Sequence, residues 1–70
     1  MFTLANVDRV YTGTHGCMCG CRGKYTTPAE SARSAKIIYN KVMKHPEHKV
    51  DGNIAYLETD TRNLVVYFKD

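Results

Sequence analysis

The sequence predicts a small α+β domain of β-α-β-β order, with one helix packed on a three-stranded sheet. Three observations predict it. A capped stretch from Thr27 to Lys44 carries apolar residues at helical spacing. The last eighteen residues hold two apolar runs, Ile54 to Glu58 and Leu64 to Phe68, separated by polar residues. The N-terminal segment is rich in β-branched and aromatic residues and closes on Gly13. A helix lying across such a sheet is the simplest way to bury both apolar faces.

The first element is a strand within "TLANVDRVYTG". Its alternation is imperfect, with Ala5, Val7 and Tyr11 on one side and Leu4 and Val10 on the other, but its composition favours β structure. A loop from Gly13 to Thr26 follows, dense in glycine and cysteine. In the helix, predicted over 28–44, Thr27 is the N-cap, Pro28 suits the first position and Glu30 completes a capping box. Ala32, Ala35, Ile38 or Tyr39, and Val42 form the buried stripe, and Pro46 ends the helix. The C-terminal hairpin, 53–69, turns through Asp60 to Asn63. Its outer face would present Tyr56, Val65 and Tyr67 or their alternating partners.

The chain has 70 residues, net charge +3 and 43% hydrophobic residues. That is one domain, 1–70, ordinary for a globular protein and too apolar for a disordered one. A domain this short buries only about 60% of its unfolded surface, which favours a staple or a partner. A thin core with an uncovered sheet face predicts a homo-oligomer. Asn6, Asp8 and Arg9 interrupt any signal-like segment, and the longest apolar run is far short of a membrane span. Cytoplasm is therefore the expected compartment and no membrane partner is expected. The four cations Arg33, Lys36, Lys41 and Lys44 against Glu30 place the excess charge on the helix, either as a solvated face or as a contact for nucleic acid.

The chemistry concentrates in "GTHGCMCGCRGKYTTPAE". Cys17, Cys19, Cys21 and His15 are the candidate metal ligands, with zinc the metal that thiolates favour. His45 and His48 are a second histidine pair. Structural zinc sites use wider cysteine pairs, however, and a helix of 17 residues (28–44) at about 1.5 Å per residue separates the two groups. Three cysteines within five residues also suit no useful disulfide. A thiol near Arg22 and Lys24 with His15 as base would give nucleophilic chemistry, but so short a chain leaves little room for a cleft, and a non-enzymatic protein with no cofactor is expected. "RGKYT" misses the phosphate-binding loop of nucleoside triphosphatases, since Tyr25 stands where Ser or Thr would hold magnesium and Met18 where the first Gly belongs. A strand, a glycine loop and a capped helix still direct backbone N–H groups and positive charge at an anion. The candidate ligand-binding residues are Arg22 and Lys24 as anion contacts, Tyr25 and Tyr11 as stacking surfaces, and Gly20 and Gly23 as loop positions. The plain alternative is a tight loop whose glycines permit its turns and whose cysteines plug the core.

"YTGTHGCMCGCRGKYTT" and the ending "YLETDTRNLVVYFKD" resemble small uncharacterised proteins of tailed bacteriophages that carry a GCxCGCxGKY loop. The resemblance covers most of the chain outside the helix. It implies a phage origin, expression in the cytoplasm of the bacterial host, and a small binding protein acting against a host system. Anti-defence sequestration of a nucleotide-like signal in an oligomer is the leading expectation. Direct blockade of a host defence protein, a zinc-stabilised module and a nucleic-acid-binding protein are the alternatives. The resemblance carries over no catalytic residue.

Overall fold

The computed structural model describes residues 2–14, 23–59 and 62–69. A short 3-10 turn, Leu4–Asn6, leads into β1 (Val7–Thr14), β2 (Lys24–Thr26), α1 (Ala32–Met43), β3 (Lys49–Asp51), β4 (Ile54–Glu58) and β5 (Arg62–Phe68). The class is α+β, but the sheet has five strands, not three. They run in the order β2-β1-β5-β4-β3, and every neighbouring pair is antiparallel. The two additional strands lie at the sheet edges and are three residues each. Neither carries a run of apolar residues, because an edge strand this short is held by main-chain pairing to its neighbour. The β3–β4 turn fits that account: Asp51 pairs with Ile54 across Gly52 and Asn53, and Gly52 takes φ 63°, a left-handed conformation that suits glycine.

β1 explains its own imperfect alternation. Its register against β5 shifts between Val7 and Arg9. This irregularity adds one residue and brings Val7 and Val10 to the same face, where both are buried. Beyond it the strand alternates cleanly, with Arg9 and Tyr11 on the other face.

The helix begins one turn later than the sequence signals suggest. The capping box itself forms: the Glu30 N–H donates to Thr27 Oγ1 at 3.2 Å, and the Thr27 N–H donates to Glu30 Oε1 at 3.3 Å. These bonds close a single turn over 27–30. Ser31 then adopts an extended backbone (φ −156°) and is the true N-cap, its Oγ accepting from the Ser34 N–H. α1 therefore spans Ala32–Met43 instead of 28–44.

α1 crosses one face of β1, β4 and β5. Ala35 and Val42 of the helix are buried against Val7, Val10, Ala55, Leu57, Leu64, Val66 and Phe68 of the sheet. Ile38, Tyr39, Met43 and Phe2 flank this core, whereas Ala32, placed on the buried stripe by its spacing, is exposed. Phe68 is its aromatic centre, edge-on to Phe2 at 4.9 Å and to Tyr39 at 6.2 Å between ring centroids. The Tyr39 hydroxyl donates to the Phe2 carbonyl at 3.1 Å and pins the N-terminal segment over the helix. Among the described residues no helix is long and apolar enough to cross a membrane.

Candidate ligand-binding face

Residues that alternate with the core point to the sheet face opposite α1. The pairing registers arrange them in rows across the strands. Arg9, Tyr67, Ile54 and Asp51 make one row. Tyr25, Tyr11, Val65, Tyr56 and Lys49 make the next. Gly13, Asn63 and Glu58 make the third. This face thus carries Tyr11, Tyr25, Tyr56 and Tyr67.

Three of the tyrosines form a continuous aromatic surface. The Tyr11 and Tyr25 rings lie 4.9 Å apart, and those of Tyr25 and Tyr67 lie 6.0 Å apart, distances at which ring pairs attract beyond their buried area. The Arg9 guanidinium sits 4.3 Å from the Tyr67 centroid and 5.7 Å from that of Tyr25. It also pairs with Asp8 at 3.1 Å, with both side chains about half exposed. The ring contacts hold this cation against the aromatic surface, and the weak surface pair with Asp8 leaves it available to a second anion. The hydrogen bond with Tyr25 is the chief cause that holds the Tyr67 phenol above its ordinary value of 10.0; burial adds to it and the Arg9 charge opposes it. A raised folded pKa contributes stability that is fully present below the ordinary value and is lost as pH rises through the raised one, in the alkaline range.

Glycine makes room for the array. A β-carbon at Gly23 would fall 1.9 Å from Tyr11 Cζ, and one at Gly13 would fall 2.6 Å from the Tyr11 hydroxyl. The Tyr11 ring therefore occupies the space that side chains at both positions would fill. A groove of about 480 Å³ runs beside it across β5 and β4, lined by Tyr11, Tyr25, Tyr67, Val65, Tyr56, Ile54, Asn63 and Glu58 among others. That volume is within the usual range for small-molecule sites.

The structure unites some of the sequence candidates and separates others. Tyr11 and Tyr25 are paired cross-strand neighbours, and Gly23 supports Tyr11. Lys24 is exposed but pairs with Thr12, so it points to the helix side of the sheet, away from Tyr25. Arg22, Gly20 and the proposed metal ligands His15, Cys17, Cys19 and Cys21 lie outside the described residues. Among the described residues no group of three or more His, Cys, Asp or Glu is placed to hold a metal. His45 and His48 instead build the turn after α1: His45 Nδ1 accepts from the Glu47 N–H at 3.0 Å, and His48 Nδ1 lies 2.7 Å from the His45 carbonyl oxygen. Arg9, Asn63 and Glu58 were not singled out by the sequence. The signal for Arg9 was the strand alternation through Val10 and Tyr11, which the shift between Val7 and Arg9 obscures. Comparison of the chain with protein-family models, curated proteins and solved structures finds no match.

Proposed function

We propose that the chain is a non-enzymatic binding protein whose tyrosine-bearing sheet face captures a nucleotide-like ligand. The observation that carries this reading is the Tyr11, Tyr25 and Tyr67 array with Arg9 held against it. Aromatic rings on an antiparallel sheet offer stacking surfaces to nucleobases, and an adjacent guanidinium offers a fork to phosphate. Tyr25 is 52% exposed, which leaves its ring open to a stacking partner. The resemblance to phage proteins supports a role in the bacterial host cytoplasm, where removal of a nucleotide signal would blunt a defence response.

The test is a calorimetric titration with mononucleotides and cyclic dinucleotides. Wild-type protein is expected to bind at least one of them. Tyr25→Ala is expected to weaken that binding about tenfold, since stacking of a base on an aromatic side chain contributes roughly 1–3 kcal/mol. Arg9→Ala is expected to act similarly by removing a charge-assisted bond of about 1.5–3 kcal/mol. Neither residue belongs to the core, so Arg9→Ala should melt near wild type and Tyr25→Ala only a few degrees lower (roughly 1 kcal/mol), through the loss of its ring contact with Tyr11 across β1 and β2. Absence of binding across the panel, or binding that both variants retain in full, would overturn the reading.

Self-association belongs to the same proposal. Leu4, Ile37 and Val50 remain exposed to between 38% and 47%, and Ile37 stands on the outer side of α1, away from the ligand face. A second copy covering any of these side chains would enlarge a core in which nine buried hydrophobic residues are found among the described ones. Sedimentation at micromolar concentration is expected to show an oligomer, and a stable monomer would remove it from the proposal.

A further inference from the structure

The third row of the sheet face holds an unresolved polar demand. Asn63 Oδ1 is shielded from solvent and has no hydrogen-bond partner among the described residues. A buried acceptor left unpaired is costly, and such groups are rare in native structures. Asn63 is the direct cross-strand neighbour of Glu58, and both line the groove beside Tyr11. Glu58 is exposed and forms no ion pair among the described residues, where the Arg9–Asp8 pair is the one found. An ionised carboxylate only accepts hydrogen bonds. Two neighbouring residues with acceptor oxygens therefore line one end of a groove whose wall is an aromatic ring, and a turn of the Asn63 carboxamide would bring its shielded Oδ1 to a ligand there.

We infer that this end of the groove reads the edge of a guanine base. The inference rests on the proposed nucleotide capture and names its base. Among the common nucleobases, guanine presents two adjacent N–H donor groups, the ring N1–H and the exocyclic N2 amine. Adenine offers one donor group beside a ring acceptor, and that acceptor would face the Glu58 carboxylate. In the bound arrangement the base stacks on Tyr11, its donors reach Glu58 and Asn63, and the Asn63 amide N–H groups can meet the guanine O6 acceptor. The polarity of the face fixes the ligand's direction. Arg9 lies two rows from Asn63, about 13 Å along β1 at roughly 3.3 Å per residue, so the phosphate end points to Arg9 and away from the carboxylate.

The experiment compares GMP, IMP and AMP on the wild-type protein, then on Glu58→Gln and Asn63→Ala. IMP keeps the N1–H but lacks the N2 amine, so it removes one donor without altering the protein. Wild-type affinity is expected to fall in the order GMP, IMP, AMP, with GMP about tenfold tighter than AMP, as expected for a well-formed base-edge pair. Glu58→Gln, a surface change that preserves size and should leave the melting curve in place, is expected to erase most of the preference between GMP and AMP while AMP binding persists. Asn63→Ala is expected to reduce GMP affinity and leave AMP affinity nearly unchanged, a pattern that general misfolding would not give. Equal binding of all three nucleotides, or a GMP preference that Glu58→Gln retains, would overturn the guanine assignment and leave capture on the tyrosine face standing. Failure of every nucleotide to bind would overturn both.

Discussion

Phe68→Ala is expected to bring the domain to the edge of unfolding at room temperature. Phe68 is 2% exposed and is the largest fully buried side chain among the described residues. Its ring meets Phe2 and Tyr39 edge-on, so one substitution removes the aromatic contacts that join β5 to the N-terminal segment and to α1. Phe→Ala in a core costs about 3–5 kcal/mol, through lost transfer free energy and the cavity left behind. A domain of this length has a total stability of roughly 4–10 kcal/mol. The melting temperature should therefore fall by about 15 °C or more. Val65→Ala, one strand position away from the core face, should cost far less, because Val65 is only half-buried on the opposite side of the sheet. A thermal melt of the two variants beside wild type checks this. A fall of under about 5 °C for Phe68→Ala would mean that the ring is not the centre of the core.

The contrast between Phe68 and Val65 also shows how far the sequence could be read. The hairpin strands and the alternation of Leu64, Val66 and Phe68 against Val65 and Tyr67 are local, because a half-buried strand writes its two faces with period two. Ala35 and Val42 were legible for the same kind of reason at helical period. β2 and β3 were not, since three residues are too few to show a period and their stability comes from partners distant in the chain. β3 did carry a signal in Asp51-Gly52-Asn53, a turn composition favoured in hairpins, but the exposed Lys49, Val50 and Asp51 offered no apolar run to support it. The helix start is not legible locally, because Thr27 and Glu30 make the capping-box bonds without the chain continuing as helix through Ser31. As for the site, Tyr11, Tyr25 and Gly23 were visible as residues, and the pairing of β1 with β2 is what makes them neighbours. Lys24 was separated from Tyr25 by the same pairing, which turned a loop cation into one on the opposite face. Asn63 and Glu58 become a pair only through the β4–β5 register.

Gly23→Ala is expected to disorganise the tyrosine face more than its size suggests. The added β-carbon would lie between 1.9 and 2.1 Å from two ring carbons and the hydroxyl oxygen of Tyr11, a separation that no repacking short of moving the ring can relieve. Tyr11 must swing away, which breaks its 4.9 Å contact with Tyr25 and loosens the short strand β2 that this contact helps to hold against β1. Forced overpacking costs about 1–3 kcal/mol, and the displaced ring would also vacate the wall on which a base is proposed to stack. Gly23→Ala should thus lower the melting temperature by roughly 5–15 °C, alter the tyrosine fluorescence, and weaken nucleotide binding at least as much as Tyr25→Ala does. The cause can be isolated by a double-mutant cycle. With Tyr11→Ala in the background the clash has no partner, so Gly23→Ala should then cost less than about 0.5 kcal/mol, and the two changes should couple by 1 kcal/mol or more. If Gly23→Ala costs the same with and without the Tyr11 ring, the glycine is required for its backbone and not for the space it leaves. Coupling confined to this pair would instead show that the packing of one ring on one glycine sets the shape of the ligand face.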